Sequence, residues 1–232
     1  MFIDMVYPVE AEMPIAINIY SAANDIITIT RGSTNIKIKT DATGKGQAWL
    51  PLGTYTFTSS IGKDPDNLTD NFSKDNVEIS SETTDVYLMP DGNILYWYGY
   101  ISDNCEVLNS ANGWAAPSGW GFGTVTYNTN YASLVSGSYQ VTGMGTKNKI
   151  SNLTKVHSIM LQTVAPYISV GASGLIGLNP YKDFTNQVCY ETIDEVNVLK
   201  HVVSQAPTEG DYYCEVDVGR DEQATIYALW CE

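Results

Sequence analysis

Residues 40–57 read TDATGKGQAWLPLGTYTF, and this stretch decides the fold. Asp41-Ala42-Thr43-Gly44 is a turn, because Gly44 supplies backbone geometry that other residues resist. A strand follows. Pro51 then pre-sets φ and Gly53 closes a second tight turn. Tyr55 and Phe57 alternate with Thr54, Thr56 and Thr58, so the next strand sends its aromatic rings inward and its threonines outward.

The same two-residue period extends in both directions. Ile15, Ile17 and Ile19 alternate with Ala16 and Asn18, and Ile36-Lys37-Ile38-Lys39 has one apolar and one charged face. Val77 and Ile79 flank Glu78, and Val86 and Leu88 follow. Ala22-Ala23-Asn24-Asp25, Arg31-Gly32-Ser33 and a long segment from Gly62 to Asp75 read as connections. Met89-Pro90-Asp91-Gly92-Asn93 is strong turn chemistry where this strand series ends. Beyond it the chain turns aromatic and Gly-rich. Strands are expected at 123–128, 138–142, 154–164, 167–171, 196–203, 211–218 and 223–231, with a loop-rich stretch over 172–195. Residues 212–218 place Cys214 on the apolar face, with Tyr213, Glu215 and Asp217 outward. Residues 224–231 are almost continuously apolar, as in a strand buried on both faces in the middle of a sheet.

The expected fold is therefore all-β, with two consecutive antiparallel sandwich domains at 14–90 and 94–232. Residues 1–13 would form an N-terminal docking arm. The turn–strand–turn of residues 40–57 resembles the signature of prealbumin-like sandwiches of the Cna-B and carboxypeptidase-regulatory-like group, which implies an Ig-like or prealbumin-like first domain. Some members carry a Lys–Asn isopeptide link, but residues 15–20 hold no Lys, so that bond is not carried over. Residues 149–153, 167–171 and 226–232, with the Tyr96-Trp97-Tyr98-Gly99 opening, resemble sandwich modules of phage structural proteins, themselves similar to jelly-roll or galactose-binding domains. That resemblance implies a virion role on the particle exterior, as a tail or capsid appendage or decoration. Its partners would be other virion proteins, further copies of itself and a host-surface glycan.

Composition narrows the function further. With 12 basic against 26 acidic residues and a net charge of −14, no dense basic patch exists for nucleic acid or an anionic membrane. The first residues lack a basic region and a long apolar run, so no signal peptide is expected. The uncharged stretch 158–181 carries Pro and several Gly, which argues against a membrane span. The four cysteines, Cys105, Cys189, Cys214 and Cys231, show no zinc spacing. Free buried thiols are the default, with a Cys189–Cys214 bridge as the alternative.

No nucleophile elbow accompanies His157 or His201, so both read as structural and no catalytic residue is assigned. Trp114, Trp120, Phe122 and Tyr127 crowd a Gly-rich segment and are candidates for subunit-interface or glycan contact, or for core. Asp64, Asp66 and Asp70 gather oxygen ligands in one loop, the sole calcium candidate. No other cofactor is expected. A stand-alone carbohydrate-binding protein is the competing function, and a glycoside hydrolase with two facing carboxylates the third.

Overall fold

The computed structural model describes residues 13–163, 175–184 and 199–232. The described chain is an all-β sandwich arrangement. Its first seven strands are β1 (Ile15–Tyr20), β2 (Ile26–Arg31), β3 (Thr34–Lys39), β4 (Lys45–Leu50), β5 (Gly53–Asp64), β6 (Asn67–Ile79) and β7 (Asp85–Tyr87). They form two sheets, β4-β1-β7 and β3-β2-β5-β6. Ile17, Ile19, Ile27, Ile29, Leu50 and Phe57 fill the space between them, as the two-residue period requires. Only β1 and β7 pair in parallel within this unit.

The turns flanking β4 follow their sequence chemistry. Asp41 Oδ1 accepts from the backbone N–H groups of Lys45 (3.1 Å) and Thr43 (2.7 Å) and from the Thr43 hydroxyl (2.7 Å). The Lys45 N–H and then the Thr43 hydroxyl are the main reasons its pKa lies below the usual value. Gly44 has φ +80°, and a Cβ there would stand 2.2 Å from the Ser21 carbonyl oxygen. The Tyr55 hydroxyl donates to Pro51 O (2.7 Å), which ties the second turn to the strand after it.

Asp25 is the buried polar centre of this unit. Its carboxylate accepts from Ser21 Oγ (2.7 Å), Ser59 Oγ (2.6 Å), Ser60 N (2.8 Å) and Ser60 Oγ (2.8 Å). A buried carboxyl group is tolerated when its oxygens are hydrogen-bonded in this way.

The remaining strands are β8 (Asn93–Trp97), β9 (Tyr100–Ile101), β10 (Cys105–Val107), β11 (Gly121–Phe122), β12 (Thr124–Tyr127), β13 (Ala132–Val135), β14 (Gln140–Thr146), β15 (Ile150–Thr163), β16 (Leu175–Asn179), β17 (Lys200–Val218) and β18 (Gln223–Cys231). As its continuous apolar run implied, β18 is central, with β15 on one side and β13 and β8 sharing the other. The long β17 leaves β15 to run between β14 and β16, and so joins two layers. Between those layers lie Leu134, Met144, Leu178, Val216, Ile226 and Leu229.

The chain passes from β7 to β8 through residues 88–92, but the core does not stop there. Trp97, Tyr98, Ile159, Ala228 and Trp230 belong to the same apolar cluster as Ile17, Leu50 and Phe57.

Several expectations are corrected. The segment from Gly62 to Asp75 is no loop: it forms the ends of β5 and β6, a hairpin turning at Pro65-Asp66. Leu68 and Phe72, four residues apart among polar and charged neighbours, are its only large apolar side chains that reach the core, so no two-residue alternation betrays it. Glu215 and Asp217 do not face out but are buried. Gly143 and Gly145 on β14 make the room, since a Cβ there would lie 2.9 Å from Asp217 Cβ and 3.2 Å from Glu215 Cβ respectively. Residues 175–179, expected within a loop, pair with β17. On the edge strand β3, Ile36 is exposed, so the apolar face there is only partly covered.

Cys105, Cys214 and Cys231 are buried free thiols; the Cys189–Cys214 alternative turns on a residue that is not described. Cys189, the arm at 1–12 and the strand expected at 167–171 lie outside the described residues. No helix among the described residues is long and apolar enough to cross a membrane.

Candidate functional site

The outward residues of β4, β1 and β7 make one flat face. Because Ile17, Ile19, Ala48, Leu50 and Val86 point into the core, the residues between them must point out. The register sets Trp49 opposite Ala16, Gln47 opposite Asn18 and Lys45 opposite Tyr20. On the other side Asp85 stands opposite Asn18, and Tyr87 opposite Tyr20. Trp49 is 65% exposed and Tyr87 48%.

Across the middle runs a polar row. Gln47 Nε2 donates to Asn18 Oδ1 (3.5 Å), and Asn18 Nδ2 donates to Asp85 Oδ1 (3.0 Å). Hydrogen bonds from Asn18 and then Thr84 hold the Asp85 carboxyl below its usual pKa. At one end Tyr20 and Tyr87 stack with centroids 4.6 Å apart, and Tyr100 meets Tyr20 edge-on. Trp49 stands two positions beyond Gln47 at the other end, about 13 Å from the tyrosine row along the strands. No turn or strand motif in the sequence marks this face. The signal was present in Lys45, Gln47 and Trp49, which share one strand parity opposite to Ala48 and Leu50.

The four aromatic candidates do not form one patch. Trp114 is 3% exposed. Its indole N–H donates to Glu106 Oε1 (2.8 Å), and the Lys182 ammonium reaches the same oxygen (2.6 Å). Phe184 and Tyr213 pack on its ring, so no face is open to a ligand. Phe122 is half-buried against Phe184. Trp120, half-buried, meets the exposed Tyr139 edge-on, with the Arg220 guanidinium 5.0 Å above that tyrosine. Tyr127 lies over Tyr96.

A groove of about 680 Å³ runs between the β5–β6 hairpin and the second unit, lined in part by Asp64, Asp66, His157, His201, Trp230 and Glu232. His157 and His201 come together because β15 and β17 pair with His157 opposite Val203 and His201 opposite Ile159. Both imidazoles stack on Trp230. Burial is the main cause lowering both their pKa values, that of His157 to about 4.

The neutral tautomers follow from the partners. Pro65 O only accepts, so His201 Nδ1 donates to it (3.0 Å). His201 Nε2 is then a lone pair, and His157 Nδ1 donates to it (3.1 Å). His157 Nε2 is left bare, 3.3 Å from Glu232 Oε1 and off the line of a hydrogen bond.

The calcium candidates hold the hairpin turn. Asp64 Oδ1 accepts from Asp66 N (2.9 Å), and Asp70 Oδ2 accepts from Asn67 Nδ2 (2.7 Å). Among the described residues, no group of three or more His, Cys, Asp or Glu side chains is placed to hold a metal ion.

No family model matches the chain, and no curated protein matches it. A solved structure described among the carbohydrate-binding modules of the β-sandwich superfamily is similar across 95% of this chain and 97% of that one, at 7% identity and a TM-score of 0.29. At that score the likeness carries no argument about a ligand.

Proposed function

We propose that this chain is a non-catalytic binding protein whose outer β4-β1-β7 face takes a chain of sugar rings. The observation that supports it is the open Trp49, separated from the stacked Tyr20–Tyr87 pair by the Gln47–Asn18–Asp85 row. Flat aromatic faces suit the C–H faces of pyranose rings, and amides and carboxylates suit their hydroxyls. A flat face of this kind binds weakly, and many copies on one particle convert weak contacts into avidity. The resemblance to phage appendage modules supplies that setting: a virion decoration or appendage, self-associated or bound to other virion proteins, that attaches to host-surface glycan.

A glycan array followed by titration calorimetry tests the reading. Wild type is expected to bind at least one neutral glycan, and Trp49→Ala to weaken it about tenfold or more. Equal binding by Trp49→Ala would remove this face from the function.

A further inference from the structure

The outer face continues past its tyrosine pair. Tyr87 and Tyr100, which both contact Tyr20, also line a pocket of about 310 Å³. Tyr87 alone of the lining comes from the first unit; Tyr100 and residues including Asn93, Ser102, Asn104 and Ile150 come from the second. The pocket therefore exists only where the two units meet.

Three observations characterise what it would take. On a chain of net charge −14, no carboxylate, ammonium, guanidinium or imidazole lines it. Desolvation raises the pKa of both Tyr87 and Tyr100, so their phenols are neutral near pH 7. An uncharged ligand suits that lining, because a charged one would be desolvated without a counter-charge. Second, Ser102 Oγ is buried and has no hydrogen-bond partner among the described residues. A buried hydroxyl left unpaired is unfavourable, and a rotation of Ser102 toward the pocket it lines would pair it with a ligand hydroxyl. Third, the volume lies at the small end of ligand sites, suited to one ring rather than a chain.

We propose that this pocket holds the terminal residue of a neutral sugar chain, while the rings that follow lie along the outer face toward Trp49. This rests on the carbohydrate reading of that face. It adds a mode, recognition of a chain end, and a class, uncharged hexoses or N-acetylhexosamines.

Competition separates the two ideas. The neutral polysaccharide bound best on an array is immobilised, and free D-glucose, D-galactose, D-mannose and N-acetyl-D-glucosamine are added at millimolar concentration. One of the four is expected to displace wild type. It should displace Trp49→Ala at the same concentration, because the pocket is intact there. Ser102→Leu, which fills the pocket, is expected to lose monosaccharide competition and to bind the polysaccharide about tenfold more weakly. Asn93→Leu, at an exposed position, replaces it should Ser102→Leu fail to fold.

If Trp49→Ala loses polysaccharide binding but no monosaccharide competes with wild type, the chain is gripped in its interior and the pocket proposal is overturned, the outer face standing. If wild type prefers acidic glycans, the neutral class is overturned. If it binds no glycan, the reading of the face fails, and the pocket with it.

Discussion

Trp49 and Trp114 occupy opposite situations, and the contrast separates an open face from a core. Trp49 sits on the edge strand β4 and points away from a core already filled by Ala48 and Leu50, so its ring stands in solvent. Trp114 follows a short turn in the second unit and folds under Lys182, Phe184 and Tyr213, with its indole N–H fixed by Glu106. The Gly-rich, aromatic-rich sequence left interface, glycan contact and core open for Trp114, and the packing gives it burial. What decides an aromatic ring's role is which side of the strand it occupies and what crosses above it.

Stability measurements test this contrast. Trp114→Ala is expected to cost about 3–5 kcal/mol and to lower the thermal midpoint by roughly 10 °C. Trp49→Ala should stay within about 0.5 kcal/mol of wild type in urea unfolding. Equal effects at the two sites would erase the distinction. Asp25→Ala comes next, at about 3 kcal/mol, because it strands the hydroxyl and amide donors of Ser21, Ser59 and Ser60 in a dry interior. Asp25→Asn should recover part of that loss.

The junction gives a smaller, pH-dependent effect. Both histidines have folded pKa values below their ordinary 6.5, His157 near 4, so between those values the unfolded chain binds more protons than the folded one. Their contribution is complete above about pH 6.5 and is lost as pH falls toward 4. Thermal scans across that window should show a falling midpoint in wild type and a flatter profile in His157→Phe, which keeps a ring for Trp230 but cannot be protonated. Identical slopes would show that other groups carry the acid sensitivity. Trp120→Ala should cost little, under about 1 kcal/mol, because its ring is only half-buried beside Tyr139.

Much of the fold was legible in the sequence. The strands at 15–20 and 53–57, the turns at Gly44 and Gly53 and the central β18 all follow from period and turn chemistry. The β5–β6 hairpin was not legible, since Leu68 and Phe72 are too widely spaced among Lys63, Asp64, Asn67 and Asn71 to show a two-residue alternation. The burial of Glu215 and Asp217 was hidden because it depends on glycines in a neighbouring strand, which single-strand periodicity cannot register. The histidine pair was hidden for a similar reason: residues 157 and 201 meet only through the β15–β17 register. The division at 90–93 into two consecutive sandwich domains is a further proposal, with an apolar cluster that spans the break. Against the background of one cluster that holds both Phe57 and Trp230, an excised 13–92 fragment is expected to lack a cooperative unfolding transition.

The most direct test of the central claim is a glycan titration followed through the tryptophan indole N–H signals by NMR. If the outer face binds, the Trp49 signal shifts in proportion to occupancy while those of Trp114 and Trp120 stay in place. A shift at Trp120 with Trp49 unmoved would contradict the account and return recognition to the second unit.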